Sequence, residues 1–235
     1  MSDIPKARPA STVVLLRDTS QGLQTLMLKR NKALLFAGGA WVFPGGSLDP
    51  EDMEAGNGDV IAASRIAAAR EAQEESGLSP RLEDMVLLSH WTTPEREPKR
   101  FSTWIYAAPL PADVDVEIDG SEIHDSRWIG VSEAVGNHER GELAMLPPTY
   151  VTLLDLARYD SVAGVLAGEA LRLPDEVFPI FGEDGGRPIV MFRGDAGYDA
   201  GDGSQLGARH RAVLCGESWQ YVHENVDPEF PSFIH

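Results

Sequence analysis

One cysteine, no long apolar run and a shortage of positive charge bound what this chain can be before any motif is read. Cys215 stands alone among 235 residues, so no internal disulfide can form and a reducing, cytoplasmic setting is expected. It falls in the strand-like run from Arg211 to Gly216, where a buried structural thiol is expected rather than a nucleophile. No apolar stretch approaches the ~20 residues of a membrane-spanning helix, so no membrane association is expected. The first six residues, Met1 to Lys6, lack the basic and apolar regions of a cleaved signal, and export by that route is not expected. Lysine and arginine number 20 against 37 acids, for a formal net charge of −17. Such a surface repels a nucleic-acid backbone and removes nucleic acid from the expected partners. Phosphorylated small molecules stay open, because a bound cation supplies the charge the chain lacks. The histidines (His90, His124, His138, His210, His223 and His235) show no metal-ligand spacing and are expected to be structural or superficial.

What is present reads as a mixed α/β chain, a sheet with helices packed on it. Apolar content of 43% and charged content of 24% are ordinary for a globular protein of one large domain, or a core with an appendage. Ser11–Arg17 and Leu23–Lys29 are β-rich runs around a hairpin turn at Asp18–Gly22. Asn31–Gly39 reads as a loop and Ala40–Phe43 as a short strand that Pro44-Gly45-Gly46 ends. The Ala-rich segment Val60–Ser76 predicts a helix closed by Gly77, with Pro80 beyond. Met85–Trp91 and Phe101–Ala108 predict two strands around the charged loop Thr92–Lys99. Arg127–Ile129 predicts a last short strand, and Ser132 a cap for a short helix over Glu133–Gly136. Trp91, Trp104 and Trp128 are expected mainly in the core. Thr149–Leu166 has apolar residues at helical spacing, enough for one or two helices. Gly194–Gly207 is Gly/Asp-rich and reads as a mobile loop, and Ala212–Leu214 with Trp219–Val222 as a second hairpin. The division expected is a core over 8–148 and an extension over 149–235 that packs on it.

The most informative stretch is Arg70-Glu-Ala-Gln-Glu-Glu-Ser-Gly-Leu78. On a helix, Glu71, Glu74 and Glu75 fall at i, i+3 and i+4 and share one face. That crowding is repulsive on its own, and Arg70 with Glu74 offers only an exposed pair of small worth. A hard divalent cation reverses the sign, since Mg²⁺ and Mn²⁺ are bound by carboxylate oxygens and water. Charge neutralisation and an activated water are what hydrolysis of a phosphoanhydride needs.

With Trp41-Val-Phe-Pro-Gly-Gly46 upstream, the segment resembles the Nudix box, whose second half reads Arg-Glu-U-x-Glu-Glu-x-Gly-U with U apolar. Gly46 matches its opening glycine. In the usual box the first Glu comes six residues after that glycine and the Arg eight later. Here Gly46 and Arg70 are 24 apart, so about ten residues are inserted, and Ala62 stands eight before Arg70. The inserted stretch Ser47–Asp59 reads as a polar loop. An insertion after Phe-Pro-Gly-Gly-x-x-Asp is similar to the Nudix subgroup of acyl-CoA diphosphatases, and the likeness runs from about Arg8 to Leu166.

The resemblance implies a sheet packed between helices, a Mg²⁺ or Mn²⁺ cofactor, and cleavage of the pyrophosphate in a nucleoside diphosphate linked to another group. It assigns Glu71, Glu74 and Glu75 to metal binding, with Glu71 a further ligand or the base. Arg70 would orient a glutamate through a charge-assisted bond, and Gly45 would lend a carbonyl to the metal or serve only the turn. A further acidic ligand from a later loop falls to Glu122, with Glu117 in competition. Gly39-x-x-x-Phe43-Pro44-Gly45-Gly46 matches the end of the motif of CoA-cleaving members, and Leu26–Arg30 its start, without the second Arg. Arg30, Lys32, Lys99 and Arg100 are candidates for substrate phosphates, with Gly46 beside them. His210-Arg211 could reach a phosphate from the extension, and Leu34-Leu35-Phe36 could hold an acyl or base moiety. CoA or acyl-CoA is the favoured substrate class, ADP-ribose or NADH the alternative, and triphosphate sanitation less favoured. A nucleotide sensor without catalysis is the rival from another class. A homodimer is an expectation of the family alone.

Overall fold

A computed structural model describes residues 5–31, 38–95, 97–118, 120–230 and 232–233. Lys32, the Leu34–Phe36 run, Arg96 and His235 lie outside the described residues. Alternation along two strands explains the layering. In β1 (Arg8–Thr19), Val13 and Leu15 enter one apolar cluster while Val14 and Leu16 enter another. In β6 (Phe101–Pro109), Trp104, Tyr106 and Ala108 divide from Ile105 and Ala107 in the same way. The sheet is therefore buried on both faces, which accounts for strands that are almost uniformly apolar at their centres.

Eight strands form that sheet. Its main path runs β3 (Trp41–Val42), β2 (Gly22–Arg30), β1, β6, β5 (Val86–Thr92) and β8 (Asp175–Val177). β4 (Gly45–Ser47) pairs with β1, and β7 (Ile123–Gly130) with β2. Pairing of β1 with β6 is parallel, and with β2 and β4 antiparallel. β3 ends at Val42, before Pro44-Gly45-Gly46 as expected, but Gly45 and Gly46 then belong to a further strand and pair with Thr12 and Ser11. A Cβ at Gly45 would collide with Thr12 and the Ser11 carbonyl, so only glycine lets β4 lie this close.

The stretch expected as a polar loop contains a helix, α1 (Pro50–Ala55), starting at Asp49. Pro at its first turn and the acids Glu51 and Asp52 favour a helix start there, and Asp52 accepts from the Asp49 amide at 2.9 Å. Helix α2 (Val60–Ser76) follows, with Asp59 capping the amides of Ile61 and Ala62, and Gly77 ending it at φ 72°. Its buried face is Ala63, Ala67, Ala68 and Ala72, small enough to bring the helix axis close to β1 and β4. Tyr106 pins the helix start to β6, its hydroxyl lying 2.7 Å from Ser64 Oγ.

On the opposite face lie α3 (Val131–Glu139), α4 (Pro147–Leu156) and α5 (Val162–Glu169), all contributing to the larger cluster. Helix α3 is longer than the segment expected and begins after Gly130, so Ser132 is not its cap. A second sheet orders β12 (Ser218–Glu224), β11 (Arg209–Cys215), β10 (Arg187–Met191) and β9 (Ile180–Asp184). The Gly/Asp-rich segment 194–207 packs down instead of standing free: a Cβ at Gly203 would meet Ile189 and Glu183, and Tyr198 donates to the Phe178 carbonyl at 2.6 Å. Cys215 is only half-buried, at the end of β11 where Sγ faces Gln220. Trp91 and Trp104 are core, whereas Trp128 is partly exposed beneath the Arg17 guanidinium. Among the described residues no helix is long and apolar enough to cross a membrane.

Candidate active site

Helix α2 lays its last two turns across β4, and four acidic side chains gather around one arginine there. Arg70 Nη1 donates to Glu71 at 3.0 Å and to Glu74 at 3.2 Å, while Nη2 donates to Asp52 at 3.0 Å. Nη2 also reaches the Ser47 carbonyl at 3.0 Å, and Asp49 stands 3.6 Å away. The guanidinium is held more firmly protonated, first by its bond to Asp52. Arg70 therefore orients glutamates rather than projecting free toward a ligand.

Asp52 was not singled out from the sequence, yet it is 3% exposed and anchors Arg70. The signal was available. Counting back from Arg70 meets Ala62, but Asp52 stands six residues after Gly46, where the box places its first acid. The insertion falls after that acid, so α1 returns it to Arg70 despite the added length.

The three candidate glutamates differ in setting. Glu74 is exposed and bound to Arg70 alone. Glu71 is largely buried; desolvation raises its pKa against the lowering pull of Arg70. Glu75 is 7% exposed, and burial pushes its pKa to about 8, opposed by a bond from the Gly45 amide at 3.0 Å. Repulsion from Glu71 and Glu122 adds to the rise, and Arg30 counters it. Glu122 thus lies within electrostatic reach of Glu75 and pairs with Arg30 Nη2 at 3.3 Å. Glu117 lies at the C-terminal end of α2, its amide bonded to the Ser76 carbonyl beside Gly77.

Of the cations expected at phosphates, Arg30 faces this cluster, and its Nε is buried without a partner among the described residues. Arg100 donates to the carbonyls of Thr93, Pro94 and Pro5. Arg211 is 1% exposed and bound within the second sheet, so it is not free to reach a ligand. His210 turns Nδ1 to the Arg193 carbonyl at 2.6 Å. The other described histidines serve structure or lie at the surface: His138 accepts from the Trp219 amide, and His90 bridges Ser102 and Glu176.

The donor set fits a hard divalent cation. It is all carboxylate oxygen, and a cation would offset the burial that chiefly raises Glu75 and the repulsion from Glu71 and Glu122 that adds to it. A Cβ at Gly46 would strike the Glu71 carboxylate, so glycine leaves the space that carboxylate occupies. Among the described residues no three acidic, histidine or cysteine side chains are already gathered at ligating range, since Arg70 holds Glu71 and Glu74 to itself.

Comparison with known proteins identifies the family and the fold. A model of the NUDIX domain matches residues 6–149. A Caenorhabditis elegans protein called "Putative nudix hydrolase 7" is 28% identical over 186 residues, 64% of this chain and 61% of that protein. The chain thus spans less than two thirds of that relative's length. The crystal structure of a NUDIX hydrolase from Alicyclobacillus acidocaldarius superposes with a TM-score of 0.64 at 21% identity, covering 70% of this chain and 97% of that one. At that identity the likeness speaks for the fold.

Proposed function

The chain belongs to the Nudix family of hydrolases, and we propose that it cleaves the pyrophosphate of a nucleoside diphosphate linked to another group, with CoA or an acyl-CoA foremost. Hydrolases of this family work with divalent metal ions, and here the ion is Mg²⁺ or Mn²⁺. The observation that carries the reading is Glu75, buried, bonded by the Gly45 amide and crowded by Glu71 and Glu122. A carboxylate kept this uncomfortable is built to meet a cation. The CoA preference rests on the Gly39-x-x-x-Phe43-Pro44-Gly45-Gly46 run and on the insertion after Asp52.

Glu71, Glu74 and Glu75 would hold the ion, with Glu122 and the Gly45 carbonyl as further ligands. When bound, it would neutralise the phosphoryl oxygens and make a water more acidic. Arg70 and Asp52 hold Glu71 and Glu74 in place, and Glu71, as a further ligand or as the base, would accept the proton of the attacking water as a P–O bond forms and the bridging P–O bond breaks. Arg30 would offer its unpartnered Nε to a phosphate with Gly46 beside it, and Arg100 would do so only on releasing the carbonyls of Thr93, Pro94 or Pro5. The same reading puts the protein in the cytoplasm, acting on a phosphorylated small molecule, with a homodimer as the expected assembly.

Product analysis tests it. With Mg²⁺ or Mn²⁺ and a panel of CoA, a medium-chain acyl-CoA, ADP-ribose, NADH and a dNTP, release of 3′,5′-ADP and a phosphopantetheine is expected. Glu75→Gln should abolish it. AMP from ADP-ribose or NADH instead would keep the hydrolase and discard CoA. Tight binding without turnover would replace the enzyme by a sensor. Glu71→Gln with metal affinity and turnover intact would remove Glu71 as base.

A further inference from the structure

Two cations converge on one buried indole at the end of β2, on the sheet face opposite Glu75. Lys29 pairs with Trp41 of β3 on one side and Asp125 of β7 on the other, and Arg127 stands opposite Met27. All of these side chains fall on the same face by strand alternation. Lys29 Nζ is 5.4 Å and Arg127 Cζ 5.2 Å from the Trp41 ring centroid. The ring is 4% exposed, Arg127 is exposed and Lys29 is half-buried.

Neither cation forms an ion pair or side-chain hydrogen bond among the described residues. Asp125, across from Lys29, is the acid in the local register, and its Oδ1 accepts from the Ser126 amide. The indole face attracts each cation, yet two like charges over one ring disfavour each other. An anion bound by both would relieve that repulsion. In a chain of net charge −17, two bases over one ring without an ion pair among the described residues make an anion-selective spot.

We propose that Lys29, Arg127 and Trp41 form the binding site for a phosphate monoester carried by the substrate away from its pyrophosphate. Two cations match the near-double charge of a monoester, and the guanidinium fork fits its oxygens. Placement agrees, because Arg30, the next residue of β2, faces Glu75 and Glu122, and the strand bulges between Lys29 and Arg30. The two sites lie on opposite faces at the end of β2, so a substrate that fills both passes the point where the strand ends. Trp41 holds the cations in place and is too buried to stack on a base. Other candidates serve less well, since Arg100 is bonded to three carbonyls and Arg30 to Glu122. The identity of the ligand rests on the diphosphatase reading, a 3′-phosphorylated nucleotide being the form in which such a substrate carries a monoester.

Calorimetric titration with 3′,5′-ADP and with 5′-AMP reads the site without turnover. The wild-type protein should bind 3′,5′-ADP about tenfold tighter or more. Lys29→Met with Arg127→Gln should erase that margin and leave AMP affinity unchanged. Arg127→Gln alone, at an exposed side chain whose loss leaves the fold intact, should narrow it. A margin that survives both variants overturns the proposal, as does a wild-type protein with no preference. Turnover of dephospho-CoA, which lacks the monoester, should be equal in wild type and double variant. A drop confined to the variant would place these residues elsewhere in the reaction and overturn the assignment. Failure of the wild type to cleave dephospho-CoA counts against the diphosphatase reading and leaves the titration to judge the site.

Discussion

Two arginines organise two acidic clusters in this protein, and they do so in opposite ways. Arg211, 1% exposed in the second sheet, gives Nε and Nη2 to one carboxylate, Asp195, at 2.7 and 2.6 Å. Its remaining group serves the Gly203 carbonyl and Asp184. Asp195 in turn accepts from the amides of Gly197 and His210. Burial alone would raise its pKa, but these bonds, led by Arg211, carry it below the usual value. Arg70 instead divides itself among Asp52, Glu71 and Glu74, and reaches neither Glu75 nor Glu122. Asp195 thus has a full counter-charge, whereas Glu75, beside the Arg70 cluster, is buried with the Gly45 amide and no ion pair among the described residues. A buried acid without a counter-charge marks a candidate site for a cation.

The sharpest break in that comparison is Glu75→Gln. It should lower kcat by about 10²–10⁴-fold, the scale set by losing an essential acid–base or metal-binding group, with little loss of stability. Arg211→Met should do the reverse. It leaves Asp195 buried without its counter-charge and should cost about 3–5 kcal/mol in urea denaturation, while dephospho-CoA turnover by the folded fraction is unchanged. Asp52→Asn loosens Arg70 without touching a metal ligand, and a loss of about 10–100-fold in activity or metal affinity is expected.

The two regions also titrate with opposite signs. Glu75 moves from 4.5 to about 8 on folding, so the metal-free native state binds the extra proton and stability falls as pH rises from 4.5 toward 8. His210, pushed from 6.5 to about 4 mainly by burial, makes the unfolded chain the better proton binder. Its contribution is present above 6.5 and lost as pH falls toward 4. Melting temperatures of the metal-free protein across pH 4 to 8 should show both slopes. Glu75→Gln should flatten the upper one and His210→Asn the lower.

How much of this was legible in the sequence depended on whether the signal was local. Helix α2 was readable to its ends because Asp59 and Gly77 are capping residues and the alanines repeat at helical spacing. Three carboxylates on one helix face followed from spacing alone. The bond from Gly45 to Glu75 did not, because it depends on β4 pairing with β1, and a three-residue Gly-Gly-Ser strand has no side-chain pattern to betray it. Helix α1 was hidden by its polarity, although Asp49-Pro50 before two acids is a helix start. The role of Asp52 was lost by measuring the insertion from its wrong end. Arg211 looked like a reachable cation because its carboxylate partners come from Asp184 and Asp195, well separated along the chain. The packing of segment 194–207 was equally invisible, since glycine there serves close approach to β9 and β10 rather than freedom.

The claim at the centre is that burial, with Glu71 and Glu122 nearby, keeps Glu75 protonated until a cation binds. Calorimetric titration of the metal-free protein with Mn²⁺ at pH 7, in two buffers of different ionisation enthalpy, tests it most directly. Binding should release close to one proton per ion in the wild-type protein, and both the release and most of the affinity should vanish in Glu75→Gln. Equal Mn²⁺ affinity in the two proteins, or binding without proton release, would contradict the account.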